Sequence, residues 1–211
     1  MVAEASAAGV ELDVLAVREG DDFTADASRV VTLTRELFRS VSTTVTPQGV
    51  VAIAKIRESA ASEAIAAARN GRWPLVVLDR VQDPGNVGAI CRTAAAAGAP
   101  AVAVLDGCAD PFGAKSVRAS AGNVFRLTVA RAAWEDLAAL DGYGAAAAGG
   151  TPLSQSPIEN AGMIVLGNEA HGLSHSNLKM VTIPLSDGVE SLNVAAAAAL
   201  LLFEVRRRRA A

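Results

Sequence analysis

Up to residue 56 the chain reads as short alternating segments. The pattern predicts a strand over residues 10–17, a short helix over 32–40 and a second strand over 49–56. Residues 59–69 are rich in alanine and other good helix formers, which predicts a linking helix. Asn70-Gly71 supplies its stop signal.

After Pro74 the pattern changes to an alternation of strand, loop and helix. Residues 75–79 form a continuous apolar run, as expected of a strand buried on both faces. A helix over 87–97 is closed by Gly98. A strand over 101–105, a short helix over 114–121, a strand over 124–129 and a helix over 132–140 follow. A weak strand is predicted over 144–148, further strands over 163–166 and 181–185, and a long C-terminal helix over 191–207. This alternation argues for an α/β domain with a mostly parallel sheet, whose ligand loops lie at the C-terminal ends of the strands. The expected organisation is a partial small α/β domain over 1–56, a linker helix over 57–73 and a main domain over 74–211.

Composition narrows the function classes. The 211 residues are 51% hydrophobic, enough for a sizeable core. Aromatic residues make up only 4%, so stacked aromatic platforms for single-stranded nucleic acid are not the expected device. The longest apolar run, 194–203, is about half of the roughly 20 residues that a membrane span requires. No basic-apolar-small leader opens the sequence. Cys91 and Cys108 form neither a disulfide framework nor a CxxC pair. A soluble cytoplasmic protein without a membrane partner is expected. The net charge of −3 argues mildly against a nucleic-acid partner. The kind of cation softens that argument: all but Lys55, Lys115 and Lys179 of the 19 basic residues are arginine, the better fork for phosphate.

Three loops carry candidate chemistry. The first runs from Asp79 through Asp83-Pro84-Gly85-Asn86 into Arg92-Thr93, with Asn86 at the expected helix N-cap. On that helix Arg92 has Gly88, Ala89, Ala95 and Ala96 as its neighbours three and four residues away. A long cation among small residues is expected to lean over a cavity or an anion; a solvated surface arginine is the plain alternative. The second loop, Gly167-Asn168-Glu169-Ala170-His171-Gly172-Leu173, follows a buried strand. Its glycine permits close approach of a ligand or another backbone. In the third, a strand ends at Pro184 and a helix begins near Ser191, preceded by Glu190 and followed by Asn193, which also read as capping groups. His171 and His175 have the spacing of a metal pair, but Gly172 lies between them and no third ligand is near, so no metal is expected. None of the loops matches the dinucleotide fingerprint, the phosphate-binding P-loop or a nucleophile elbow.

Taken together, the three segments resemble the three signature motifs of the SpoU family of the SPOUT methyltransferases. Asp83-Pro84-Gly85-Asn86-Val87-Gly88-Ala89-Ile90-Cys91-Arg92-Thr93-Ala94 is similar to motif one. Leu166-Gly167-Asn168-Glu169-Ala170-His171-Gly172-Leu173 is similar to motif two. Ile183-Pro184-Leu185, continued by Glu190-Ser191-Leu192-Asn193-Val194-Ala195, is similar to motif three. The resemblance covers residues 75–207. It implies a deep C-terminal trefoil knot, which periodicity could not reveal. It also implies a pocket for S-adenosyl-L-methionine (AdoMet), lined by Gly167, Ile183 and Leu192. Asn86, Arg92, Glu169, Ser191 and Asn193 match the polar positions around the methyl acceptor. Arg92 is the implied activator of the ribose hydroxyl, as a base or as a phosphate-binding group. The implied activity is RNA 2′-O-ribose methylation by a homodimer with its site at the subunit interface. Residues 1–56 resemble the second half of the family's substrate-binding domain, Thr46-Pro47-Gln48-Gly49-Val50-Val51-Ala52 being the most specific stretch, which favours ribosomal RNA as the target. A non-catalytic AdoMet- or RNA-binding relative, and a tRNA methyltransferase, are the alternatives.

Overall fold

The structure, a computed structural model, describes residues 1–42, 46–168, 172–175 and 177–210. It divides into two compact units, Met1–Arg57 and Glu58–Ala211.

The first unit contains α1 (Val2–Ala7), β1 (Leu12–Arg18), β2 (Arg29–Leu33), α2 (Arg35–Val41) and β3 (Val50–Ala54). Its sheet has the order β2-β1-β3, with β2 parallel and β3 antiparallel to β1. Leu15 and Phe38 are fully buried in it. The sequence pattern expects a helix already at residue 32. The β-branched run Val30-Val31-Thr32 is instead a strand. The helix waits for Thr34, whose hydroxyl accepts from the Leu37 amide at 3.4 Å as an N-cap.

The second unit contains α3 (Ala61–Asn70), β4 (Leu75–Asp79), α4 (Pro84–Ala97), β5 (Ala101–Val104), α5 (Ala114–Ala119), β6 (Thr128–Arg131), α6 (Trp134–Leu137), β7 (Gly142–Ala146), β8 (Thr151–Pro152), β9 (Met163–Gly167), β10 (Lys179–Thr182) and α7 (Val194–Arg209). Its seven strands are all parallel, in the order β6-β5-β4-β9-β7-β10-β8. The strands β4 and β9 lie side by side near the middle, and side chains on alternate residues enter different layers. Val76, Leu78, Ile164 and Leu166 pack with residues of α4 and α7. Leu75, Val77, Met163 and Val165 pack with α3 and Leu137 of α6. Two-sided burial explains the unbroken apolar runs of these strands.

Among the boundaries that differ from the sequence expectation, three have a clear local reason. Helix α4 starts three residues early: Asp83 is the N-cap, its carboxylate accepting from the Gly85 amide at 3.1 Å, and Pro84 occupies the first turn. Residues 123–126 form a 3₁₀ turn rather than the start of a strand, because Gly122 adopts φ +80° and Ser120 Oγ accepts from its amide at 3.2 Å. Strand β10 ends at Thr182, so Ile183-Pro184-Leu185 leaves the sheet. A proline has no amide hydrogen to offer a ladder.

Candidate functional site

Three parallel strands, β7, β9 and β10, end on one cleft of about 240 Å³. Gly167, the last residue of β9, forms part of its wall together with Asn168 and Leu173. Ile183 and Leu185, just past β10, form another part, and Ser191 and Leu192 contribute where the chain turns into α7. Ala197 and Leu201 of α7 close the base. Among the described residues no charged side chain lines the cleft. The expected pocket residues Gly167, Ile183 and Leu192 therefore share one cavity.

Glycine at 167 is required by close approach. A Cβ built there would stand 2.8 Å from the Gly172 carbonyl oxygen and 2.8 Å from Leu173 Cδ2. Asn168 and Gly172 pair their backbones, with N–O distances of 2.8 and 3.2 Å. Gly172 and Leu173 thus lie directly against the strand end.

Its far side is held by a group that the motifs do not include. Asp79, the last residue of β4 and the register partner of Gly167, is only 1% exposed. Its carboxylate accepts from the Ser174 amide at 2.5 Å and from the Ser174 hydroxyl at 2.8 Å. Trp134 Nε1 donates to the same hydroxyl at 3.0 Å, and the indole stacks on His175 with ring centroids 4.7 Å apart. Asn168 Nδ2 donates to the Arg80 carbonyl at 3.1 Å, a second tie between the ends of β4 and β9. His175, considered above as half of a metal pair, is therefore a stacking partner; His171 lies outside the described residues.

The polar candidates divide. Asn193 is the N-cap of α7: its Oδ1 accepts from the Ala195 and Ala196 amides at 2.9 and 3.4 Å. Its Nδ2 donates to Asn86 Oδ1 at 3.1 Å, joining the first turn of α4 to the start of α7 beside the cleft. Asn86 can make this contact because Asp83, not Asn86, caps α4. Ser191 lies in the cleft wall. Glu169 falls outside the described residues.

Arg92 stands apart. It is exposed, does not line the cleft, and makes no hydrogen bond or ion pair with the described residues. It lies about 9 Å along the α4 axis from Asn86, at 1.5 Å per residue. The small-residue face beside it is covered at Gly88. A Cβ at Gly88 would come 2.2 Å from the Ser116 carbonyl oxygen and 2.6 Å from Ala119 Cβ, so α5 packs directly onto that position. The Ala96 carbonyl accepts from Arg206 Nη1 at 2.6 Å.

The chemistry available here is that of an apolar slot with backbone polar groups at one edge. A phosphate would find no cation in it among the described residues. An uncharged nucleoside fits: Ile183, Leu185 and Leu192 offer flat apolar contact, and the bare backbone at Gly167 offers hydrogen bonds to a ring edge. An adenosyl group carrying a sulfonium in place of phosphates meets both conditions.

Residues 74–203 match the SpoU rRNA methylase family. The chain is 36% identical over 184 residues to the 23S rRNA (guanosine(2553)-2′-O)-methyltransferase RlmP of Bacillus subtilis, covering 82% of this chain and 71% of that protein. It is 34% identical over 151 residues to the 23S rRNA (uridine(2479)-2′-O)-methyltransferase of Streptomyces viridochromogenes, covering 64% of this chain and 52% of that one. Among solved structures, the SpoU methyltransferase AviRb of Streptomyces viridochromogenes in complex with AdoMet superimposes with a TM-score of 0.84 at 25% identity, over 99% of this chain and 87% of that chain. An AdoMet-bound rRNA methyltransferase of Sinorhizobium meliloti does so with a TM-score of 0.82 at 29% identity, over 98% and 84%.

Proposed function

The chain belongs to the SpoU rRNA methylase family, and from that premise we propose that it transfers a methyl group from AdoMet to a ribose 2′-hydroxyl of ribosomal RNA. The observation that carries the reading is the cleft at the ends of β7, β9 and β10, which no charged side chain lines among the described residues, with Ser191 in its wall and the Asn86–Asn193 pair beside it. Gly167, Ile183 and Leu192 hold the cofactor there. The bound cofactor supplies an activated methyl group for an in-line displacement.

The protein's work is then alignment and charge. Ser191 and the Asn86–Asn193 pair orient the acceptor ribose, and alignment of this kind supplies a large part of the barrier reduction. Glu169 belongs to the same acceptor site in this reading. Arginine side chains stay protonated through the physiological range. Arg92 therefore acts as a donor that grips the RNA phosphate and holds it beside the ribose, where a phosphate oxygen takes the proton that the 2′-hydroxyl loses as its oxygen accepts the methyl group.

Its position outside its own cleft fits a homodimer in which a second copy completes the site. Helix α7 exposes Leu200 and Phe203, 47% and 46% accessible, on a face that a single domain leaves uncovered. Arg206, one turn past Phe203, grips the Ala96 carbonyl, and Ala96 lies one turn past Arg92 on α4. The cation and the apolar face therefore border one another. The knot belongs to the same proposal: the late strand β10 inserts between β7 and β8, as a threaded C-terminal segment requires. Residues 1–57 are proposed to contact RNA. No helix among the described residues is long and apolar enough to cross a membrane, which accords with work on RNA in the cytoplasm.

Labelled AdoMet incubated with ribosomal RNA, followed by digestion to nucleosides, tests the reading. A 2′-O-methylated nucleoside is the expected product. Folded protein that binds S-adenosylhomocysteine yet transfers no label to ribosomal or transfer RNA would leave only a binding role.

A further inference from the structure

At the opposite end of the sheet lies a second cavity, of about 420 Å³, that no part of the methyl-transfer reading uses. It opens where β4 begins, at Leu75, whose amide donates to the Gly162 carbonyl at 2.9 Å just ahead of β9. Five residues of parallel strand, at about 3.3 Å each, separate this end from the AdoMet cleft. Arg69, from the last turn of α3, Arg72, from the turn that follows, and Arg209, from the end of α7, converge on it. Trp73 forms part of the wall, with the Arg209 guanidinium 5.8 Å from its ring centroid.

Charge in this cavity is only partly compensated, by the Glu159 carboxylate near Arg209. The side chains of Arg69 and Arg72 make no hydrogen bond or ion pair with the described residues. Among the described residues, the hydrogen bonds of the Arg209 guanidinium go to the backbone carbonyl of Glu159. The Glu159 carboxylate is itself engaged by Arg208 at 3.1 Å. Desolvation pushes the Arg209 guanidinium below its ordinary pKa; the Glu159 carboxylate opposes that shift and repulsion from Arg72 adds to it. Arg69, Arg72 and Arg209 are all exposed at this cavity beside an indole, so in a chain whose net charge is −3 they form a local cationic cluster open to an anion from solution. Guanidinium forks match phosphate oxygens, and the indole face suits a ribose or base attached to that phosphate.

We propose that the Arg69–Arg72–Arg209 cavity is a second RNA contact, which takes a backbone phosphate of the substrate at the end of the sheet remote from the cleft. The inference rests on the chain being an RNA-modifying enzyme, but its first test does not. Indole emission of the full chain is titrated with inorganic phosphate and with a short single-stranded RNA. Saturable changes are expected with both, absent in Trp73→Phe and abolished in the double variant Arg69→Gln/Arg72→Gln. Arg209 is left in place because it holds the Glu159 carbonyl.

In filter binding with structured ribosomal RNA, the double variant should lose about tenfold in affinity at moderate salt. The salt slope should shrink by about 1.4 to 1.8, the range for two lost phosphate contacts. Affinity for S-adenosylhomocysteine should stay unchanged, and methyl transfer at saturating RNA should persist with a raised KM. An unchanged RNA affinity and slope in a double variant that still binds S-adenosylhomocysteine would overturn the proposal. So would phosphate binding without any effect on RNA, which would assign the cavity to free phosphate. A wild-type chain that binds RNA through these arginines yet methylates none would fail the reading of activity and leave this contact standing.

Discussion

Asp79 gives the sharpest test of how the cleft is built. Its carboxylate, 1% exposed, accepts two hydrogen bonds from Ser174, the residue after the cleft-lining Leu173. Hydrogen bonds to a charged partner contribute about 1.5–3 kcal/mol each. Ser174 is exposed, so water replaces the lost acceptor once the loop is released, and the lower figure applies. Two bonds at about 1.5 kcal/mol give about 3 kcal/mol of hold on the loop. At about 1.4 kcal/mol per tenfold, Asp79→Ala therefore has a ceiling of about 100-fold on cofactor affinity. Gly172 and Leu173 form only one wall of the cleft, so the expected rise in the S-adenosylhomocysteine Kd lies between about tenfold and that ceiling. Asp79→Asn keeps one acceptor oxygen and the shape, and should cost less. Ser174→Ala removes the hydroxyl but keeps the amide donor, and should also cost less. Titration calorimetry on the three variants reads these values directly. An Asp79→Ala protein that melts cooperatively and binds S-adenosylhomocysteine within about twofold of wild type would refute the latch.

Arg92→Ala and Arg92→Lys should each lower methyl transfer by about 100-fold or more, in the range of lost electrostatic catalysis, with S-adenosylhomocysteine affinity nearly unchanged. Equal losses of binding and turnover would instead make Arg92 a cofactor or structural residue. Phe203→Glu places a charge on the exposed apolar face of α7 and should yield a monomer in sedimentation, with methyl transfer lost alongside. A wild-type chain that sediments as a monomer at every concentration would sink the dimer. Glu204 is held down to about 2 by hydrogen bonds from Arg207 and Arg208. A depressed folded pKa contributes stability above the ordinary value of 4.5, and loses it as pH falls from there toward 2. Wild type should therefore lose more of its melting temperature than Glu204→Gln between pH 6 and pH 3; parallel losses would contradict the assignment.

The parts of the fold legible in the sequence are those in which burial alone sets the pattern. Strands β4 and β9 are covered on both faces, so their runs are apolar without alternation and their limits are readable. The elements that pattern misses are set by single side chains. Thr34 decides where α2 begins, and the short strand before it is visible only once that cap is known. The start of α4 had a signal in Asp83-Pro84, since proline at the first helical position follows a capping residue. The adjacent Pro-Gly pair resembles a turn, which moved the expected cap to Asn86. That displacement matters for chemistry: an asparagine used as a cap spends its side-chain oxygen on its own helix, whereas the Oδ1 of Asn86, inside the helix, accepts from Asn193.

The cleft follows the same division. Gly167 ends one readable strand, Ile183 follows another, and Ser191 and Leu192 lie in the turn from that strand into α7, so parallel strand order brings them together at one sheet end. The surroundings of Arg92 do not follow from helix arithmetic. Spacing by three and four identifies Gly88 and Ala96 as its neighbours, but only tertiary packing puts α5 against one and Arg206 against the other. Asp79 is the instructive case between the two. An ionisable residue ending a strand whose other four residues are apolar and fully buried is itself drawn toward the core. A buried carboxylate requires donors, so the sequence already implied a partner. It could not name Ser174, 95 residues on, because that pairing depends on β9 lying beside β4, which brings the loop after Gly167 back over Asp79.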